Sequence, residues 1–146
     1  MSALYKTGAH TKHRLLFHIV FIPKYRRQVL QFDVAHRLRE LIWQCCQINA
    51  WYIHQLEILP DHIHMLLQIN PVDSIESCLH RLKGGTSRVI RQEFPELEEF
   101  LWGDSLWCDG YFAETIGRTT ETAIVRYLQN QQSKQPLPKT TGFNPS

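Results

Sequence analysis

The sequence predicts a single α+β domain in which helices cover an antiparallel β-sheet. Segments rich in β-branched and aromatic residues alternate along the chain with segments of helical periodicity. The chain has 146 residues and no internal repeat, a length that supports one compact domain with a hydrophobic core and leaves little room for two.

The first half of the chain predicts three strands and one helix. Residues 15–22 are β-branched and aromatic and stop at Pro23, which is typical of a strand. Over residues 32–49, apolar side chains recur at three- and four-residue steps, which predicts a helix. Residues 51–59 predict a second strand, and residues 62–69 alternate strictly between apolar and other side chains, as a third strand does.

The second half predicts another helix and a fourth strand. Asp73 followed three residues later by Glu76 resembles a capping box, so we expect a helix to open here and to extend toward Arg91. Residues 111–116 lie between two glycines and predict a short strand.

A last helix completes the predicted order βαββαβ plus C-terminal helix. Thr119 or Thr120 can cap this helix, which we expect to run to about Gln132. The order is that of a ferredoxin-like or RRM-like fold, in which two helices cover one face of the sheet and the other face is free for a ligand or a second subunit. We assign residues 1–133 to the domain and residues 134–146, rich in Pro, Thr and Gly, to a flexible tail.

The charges are divided unevenly along the chain. Residues 1–92 carry twelve basic and six acidic side chains, whereas residues 93–146 carry four and eight, so the first part can present a basic face to a polyanion. No apolar segment is long enough to span a bilayer, and the N-terminus lacks the apolar core of a secretory signal. We therefore expect a cytoplasmic protein that does not associate with a membrane, with its cysteines reduced and mostly buried.

Two histidines on the third predicted strand are candidate metal ligands. His62 and His64 are two residues apart, so both imidazoles project from one face of the sheet. Neutral imidazoles placed in this way are good ligands for a divalent ion, although a structural role is equally compatible with the pair alone.

Two polar side chains of the last helix are the second candidate. Tyr127 and Gln131 are four residues apart and therefore share one face of the helix. Ala123, Ile124 and Leu128 can supply the buried stripe, which leaves the Tyr127 hydroxyl free to react. Packing of Tyr127 on the sheet is the alternative.

The ordered set of these motifs resembles the HUH single-tyrosine transposases, small enzymes that move insertion sequences as single-stranded DNA. His62-Ile63-His64 follows Pro60-Asp61, and Tyr127 precedes Gln131 in a terminal helix. The resemblance runs from about residue 13 to residue 131, with supporting segments at residues 18–27, 59–66, 83–88 and 106–117.

The resemblance implies a metal-dependent DNA endonuclease and strand-transfer enzyme. Tyr127 would be the nucleophile and would form a 5′-phosphotyrosyl linkage with release of a 3′-OH. His62 and His64 would hold Mg²⁺ or Mn²⁺, with Gln131 as the third protein ligand. The partners would be single-stranded DNA with hairpin ends and a second copy of the chain, and the sequence leaves open which subunit's site Tyr127 serves.

Further residues are candidates for contacts with DNA. The predicted phosphate contacts are Lys24, Arg26 and Arg27 after the first strand, and Arg81, Lys83 and Arg88 in the second helix. Tyr25, Trp102 and Trp107 can stack on bases, but we expect both tryptophans to pack in the core or at an interface. Asp61 is expected to have a structural role in its turn. Gly84-Gly85 lacks the Lys and Ser/Thr of a P-loop, so no nucleotide cofactor is expected.

Two alternative functions stay open on the sequence alone. One is a domesticated relative that processes repeated genomic palindromes with the same chemistry. The other is a non-catalytic protein that binds single-stranded nucleic acid through an RRM-like sheet, although the strands lack the aromatic signature of that class.

Overall fold

A four-stranded sheet organises the part of the chain that the computed structural model describes, which is residues 6–7, 12–13, 15–103, 105–116 and 125–130. The strands are β1 (Leu15–Phe21), β2 (Tyr52–Leu59), β3 (His62–Ile69) and β4 (Phe112–Ile116). The helices are α1 (Phe32–Ile48), α2 (Ile75–Glu93) and the one-turn α3 (Glu98–Leu101). Short 3₁₀ segments occupy Lys24–Arg26 and Pro95–Leu97, the two-residue strands Lys6–Thr7 and Lys12–His13 pair with each other, and residues 125–130 are helical.

The strands pair in the order β2-β3-β1-β4, and every neighbouring pair is antiparallel. This is the ferredoxin-like order that the sequence predicts. The two central strands are β1 and β3, and their register places His18 opposite Leu66 and Val20 opposite His64. The strand that carries the two candidate ligands is therefore held by hydrogen bonds on both sides.

The strict alternation in β3 sends its side chains to two different surfaces. Ile63, Met65 and Leu67 are completely excluded from solvent and belong to the main core. The intervening side chains, from His62 to Gln68, point to the opposite face of the sheet. One strand thus anchors itself in the core and presents its polar residues on the other side.

Helices α1 and α2 cover the core face of the sheet through apolar stripes at helical spacing. The buried stripe of α1 contains Leu38 and Ile42, and that of α2 contains Leu79, Leu82 and Ile90. Both stripes contribute to the main core cluster. Burial of a continuous apolar surface is the dominant stabilising term for such a layer.

The start of α2 differs from the predicted capping box. Ser74, not Asp73, is the N-cap, and its side chain accepts a hydrogen bond from the backbone N–H of Ser77 at 3.0 Å. The Asp73 carboxylate accepts instead from Trp51 Nε1 at 2.9 Å. The Asp73 carboxylate, which was expected to cap the helix, therefore binds the indole N–H of Trp51 instead.

The two tryptophans with a predicted packing role have different surroundings. Trp107 is buried as predicted, and its ring lies edge-on to Phe21 with centroids 4.6 Å apart. Trp102 is 62% exposed and follows α3, a helix that the sequence analysis did not predict. Trp102 therefore does not pack in the core, and its expected alternative, packing at an interface, stays a prediction.

The second face of the sheet is partly covered rather than free. Leu16 and Leu66 form a small buried cluster there, against which Tyr127 and Leu128 pack. Of the predicted last helix only residues 125–130 are described, so its proposed caps, Gln131 and the predicted tail at residues 134–146 lie outside the described part of the chain. Within that part, no helix is long and apolar enough to cross a membrane.

We predict that the central strand is the part of the fold most sensitive to loss of apolar volume. Leu67→Ala removes a side chain with no solvent exposure and should lower the free energy of unfolding by about 2–5 kcal/mol. Ile48→Ala removes a similar volume from a side chain that is 82% exposed, and it should change the free energy of unfolding by less than about 0.5 kcal/mol. Chemical denaturation measures both, and equal losses would contradict the assigned core.

Candidate active site on the sheet face

The structure brings His62, His64 and Tyr127 to the same face of the sheet. His64 is 6% exposed, and His62, at the start of β3, is half-buried. The ring of Tyr127 packs on the buried pair Leu16 and Leu66, of which Leu66 lies on the same face of β3 as the two histidines. Three residues predicted from separate motifs therefore share one surface.

Asp61 orients the first histidine of the pair. Its Oδ1 lies 2.9 Å from His62 Nδ1, and its Oδ2 accepts a hydrogen bond from Arg26 Nε at 2.9 Å. Burial opposes ionisation of Asp61, but the His62 hydrogen bond and the Arg26 charge outweigh it and lower the pKa of the carboxyl. The expected structural role of Asp61 stays a prediction, to which the structure adds the contact of its carboxylate with the His62 ring.

His18 is a component of the site that the sequence analysis did not single out. It lies on β1, its Nε2 is 2.5 Å from His64 Nε2, and its Nδ1 is 3.3 Å from Glu114 Oε1 on β4. Its ring also lies edge-on to that of Tyr127, with centroids 5.8 Å apart. The only sequence signal was the single histidine in an otherwise apolar strand, and cross-strand register is what brings it to the site.

The second histidine of the pair is held in its neutral form. Burial, together with the charges that His18 and His62 can carry, lowers the pKa of His64 to about 4. Its Nδ1 is buried and has no hydrogen-bond partner among the described residues, since Glu57 Oε1 lies 3.5 Å away. A neutral imidazole, with one unprotonated ring nitrogen, is the form that binds metal ions.

The hydroxyl of Tyr127 is buried without a hydrogen-bond partner among the described residues. Burial, and secondarily the charge of Glu114, raises its pKa to about 12. The phenol is therefore protonated near neutral pH. The prediction that this hydroxyl stays free of structural partners agrees with its geometry, although the ring itself packs on the sheet.

The described residues supply part of a metal-binding set. Among them, no group of three His, Cys, Asp or Glu side chains is arranged to hold an ion. The described donors are the imidazoles of His62 and His64, and Gln131, the predicted third ligand, is not among the described residues. Two imidazoles fit a hexacoordinate ion that keeps several water molecules or substrate oxygens.

The predicted basic residues of α2 have different surroundings. Arg81 donates to Asn49 Oδ1 at 2.7 Å and lies over the Trp51 ring. Lys83 donates to the carbonyls of Cys108 and Gly110, at 2.9 and 2.7 Å, and burial lowers its pKa. Arg88 is exposed and, like Lys83, lines a groove along α2.

That groove has a volume of about 810 Å³ and a mainly basic lining. We call it the α2 groove, and its polar lining includes His80, Lys83, Arg88, Arg91, Ser105 and Tyr111, with Glu76 as an acidic member. It lies on the helical layer, which covers the sheet face opposite to Tyr127.

The other predicted basic cluster lies beside the turn that carries Asp61. Arg26 is bound to Asp61, as described above. Lys24 Nζ donates to the carbonyl of Trp102 at 2.6 Å, and Arg27 Nε donates to that of Phe100 at 3.2 Å. Lys24 and Arg27 therefore connect the turn after β1 to the turn formed by α3 with Trp102.

Comparison with other proteins identifies relatives across most of the chain. Residues 11–131 match the family described as "Transposase IS200 like". The chain is 32% identical over 130 residues to the ISDra2 transposase TnpA of Deinococcus radiodurans, covering 89% of this chain and 93% of that protein. It is 35% identical over 132 residues to the transposase for insertion sequence element IS200 of Salmonella typhimurium, covering 90% and 86%.

Two solved structures share the fold. A Deinococcus radiodurans protein described as a transposase superposes with a TM-score of 0.71 at 32% identity, covering 86% of this chain and 97% of that one. The REP-associated tyrosine transposase bound to a REP hairpin superposes with a TM-score of 0.56 at 16% identity, covering 88% and 73%, which shows the fold alone.

Fold and similarity together define the class of this molecule as a DNA transposase with a ferredoxin-like sheet. The chain belongs to the IS200-like transposase family, so it is related to enzymes that cleave and rejoin DNA. The resemblance drawn from the sequence motifs is thereby confirmed.

We predict that Asp61 fixes the tautomer of His62. Neutral His62 should carry its proton on Nδ1, facing the carboxylate, and keep Nε2 unprotonated. Nitrogen-15 chemical shifts of the ring report this directly. Asp61→Ala should shift His62 toward the Nε2–H tautomer, whereas Asp33→Ala, which removes a carboxylate from the first turn of α1, should not. Unchanged shifts in Asp61→Ala would refute the orienting role.

Proposed function

We propose that this transposase cleaves and rejoins single-stranded DNA at hairpin ends, with the Tyr127 hydroxyl as the nucleophile. The observation that carries the proposal is the buried hydroxyl of Tyr127, which has no hydrogen-bond partner among the described residues and lies on the sheet face that also presents His62 and His64. A structural tyrosine in such a position would ordinarily use its hydroxyl in a hydrogen bond.

The proposed cleavage is a transesterification. The Tyr127 oxygen attacks the phosphorus of a phosphodiester, the bond from phosphorus to the 3′ oxygen breaks, and the leaving strand ends in a 3′-OH. The phenolic proton is lost, and the departing 3′ oxygen gains a proton. A 3′-OH that attacks the phosphotyrosine reverses these steps and rejoins DNA, so the bond energy is conserved and no nucleotide cofactor is required.

We propose His62 and His64 as ligands of Mg²⁺ or Mn²⁺, with Gln131 as the third protein ligand. Support comes from the two imidazoles that share one face of the sheet and from the neutral state of His64. Asp61 contacts Nδ1 of His62, which leaves Nε2 of that ring as the nitrogen that would bind the ion. When bound, such an ion supplies Lewis-acid stabilisation of charge on the phosphate. The chain itself supplies ring orientation through Asp61 and apolar packing of the Tyr127 ring on Leu16 and Leu66.

We assign the α2 groove to the phosphates of the hairpin. Its exposed Arg88 and its Arg91 offer positive charge, and Lys83 adds charge while it holds the segment from Cys108 to Gly110 in place. The homodimer that the resemblance implies is part of the same proposal, and light scattering of the purified protein tests it.

We predict that Tyr127→Phe abolishes covalent capture of DNA and leaves hairpin binding intact, because the substitution removes only the oxygen. A labelled hairpin oligonucleotide from the DNA that flanks the gene is incubated with Mg²⁺ or Mn²⁺, or with chelator, and resolved on a denaturing gel. Tyr52→Phe is the matched control, since Tyr52 is 45% exposed at the start of β2.

The expected result is a metal-dependent adduct in the wild type and in Tyr52→Phe that is absent from Tyr127→Phe. An adduct that persists in Tyr127→Phe would mean that another nucleophile acts. Binding without an adduct in the wild type would favour the non-catalytic single-strand-binding alternative.

We predict that Arg88→Ala reduces the salt dependence of hairpin binding. Loss of one phosphate contact should lower the slope of log K against log salt by about 1. Arg39→Ala provides the control, because Arg39 carries the same charge on α1 and donates to the Leu56 carbonyl of β2. Equal slopes for wild type and Arg88→Ala would remove Arg88 from the DNA contacts.

A further inference from the structure

Three aromatic side chains lie exposed on two adjoining turns outside the sheet face, namely the turn after β1 and the turn formed by the one-turn helix α3 with Trp102. Tyr25 is 60% exposed, Phe100 44% and Trp102 62%. Together with the basic side chains around them they form a surface that we call the aromatic–basic platform, defined as Lys24, Tyr25, Arg26, Arg27, Phe100 and Trp102. The proposed catalytic role uses none of these rings.

The two turns of the platform are joined by direct bonds. Lys24 Nζ donates to the Trp102 carbonyl at 2.6 Å, and Arg27 Nε donates to the Phe100 carbonyl at 3.2 Å. Both bonds use backbone oxygens as acceptors. The aromatic rings therefore stay on the surface while the turns that carry them are held together.

The second turn is also fixed to α2. Arg91 donates to Glu98 Oε1 at 2.9 Å and to the Gly103 carbonyl, and Glu98 Oε2 accepts from the Gly103 N–H at 3.1 Å. Gly103 has a φ of +111°, and a Cβ there would lie 2.7 Å from Lys24 Nζ. Glycine is favoured at this position by its backbone conformation, whereas the flexible end of the Lys24 side chain could move away from a Cβ.

Three non-glycine residues of the platform have left-handed backbone conformations. The φ angles are +58° at Tyr25, +52° at Arg26 and +41° at Trp102. Such conformations are uncommon for bulky side chains and persist where the surroundings impose them, which is frequently at ligand-binding sites. Here they occur at two of the three exposed aromatic residues.

The charge of the platform suits a polyanion with exposed rings. Lys24 Nζ and the Arg27 guanidinium lie 5.8 and 5.7 Å from the centre of the Tyr25 ring. The Arg26 side chain is 63% exposed although its Nε is bound to Asp61. Interleaved cations and aromatic rings bind single-stranded nucleic acid because the cations contact phosphates and the rings stack on unpaired bases.

The platform is continuous with both of the proposed DNA-contacting regions. Arg91 lines the α2 groove and bonds to Gly103 at the end of the second turn. At the other end, Arg26 contacts Asp61, which contacts His62. A strand that leaves the groove for the candidate active site therefore has this surface along its path.

We propose that the aromatic–basic platform binds the unpaired DNA between the hairpin and the scissile phosphate by stacking bases on Trp102 and Tyr25. This inference rests on the proposed function and adds to it a site for single-stranded DNA, recognised by base stacking rather than by base pairing. Sequence-independent stacking is expected, because every base has a π-face.

The test compares three probes whose chemistry differs in one respect each. They are an oligothymidine of about a dozen nucleotides, an abasic strand of equal length, and a duplex of similar charge. The chosen length lies within the roughly 4–16 nucleotides of known single-strand sites. Affinities are measured by fluorescence anisotropy with chelator present, so that no strand is cleaved. The wild type should prefer the oligothymidine over the abasic strand.

Trp102→Ala and Tyr25→Ala should each reduce oligothymidine affinity by about fivefold or more and leave abasic-strand and duplex binding unchanged. Trp102→Phe should restore most of the loss, since phenylalanine still stacks. Trp43→Ala is the matched control, because Trp43 is 48% exposed on α1. It should have no effect on any probe.

Three outcomes would overturn the proposal. The first is equal affinity of the wild type for the oligothymidine and the abasic strand, and the second is an equal loss of affinity for all three probes in the variants. The third is a lower molar mass of Trp102→Ala than of the wild type in light scattering, which would make the platform a protein interface. Failure of catalysis is distinguishable, because it removes the covalent adduct without altering the preference for bases over abasic sites.

Discussion

The pairing of β3 with both of its neighbours is the constraint on which the site depends. A slip of one residue would exchange the two faces of β3, moving His62 and His64 into the core and Ile63 and Met65 onto the catalytic surface. The completely buried Ile63, Met65 and Leu67 make that exchange costly. Burial of the apolar side chains on one face of β3 therefore fixes His62 and His64 on the opposite face.

The same register brings together residues that are far apart in the chain. His18 reaches His64 from β1, and Glu114 reaches His18 from β4, so the polar contacts cross three neighbouring strands. Asp61 extends the set outward, because its carboxylate contacts both His62 and Arg26. A turn beside the sheet thus becomes connected to the histidine pair through one acidic side chain.

The sequence was most informative where a local pattern determines the structure. Period-two alternation predicted both faces of β3, and helical spacing predicted α1 within one residue of its ends. It failed where a distant partner decides: Trp51 takes the Asp73 carboxylate, Ser74 caps α2, and α3 leaves Trp102 exposed. His18 was missed for the same reason, since only the register makes one histidine in an apolar strand part of a site.

The buried Tyr127 hydroxyl connects stability to the proposed chemistry. An unpaired buried hydroxyl costs about 1–3 kcal/mol relative to a satisfied one, a cost that the packing of its ring on Leu16 and Leu66 helps to offset. Burial also raises the pKa of the phenol to about 12, so it is further from ionisation near neutral pH than an exposed tyrosine. In the proposed function, a phosphate bound beside His62 and His64 would offer this oxygen the polar partner that the described residues do not supply. Substrate binding would then offset the free-energy cost of the unsatisfied hydroxyl.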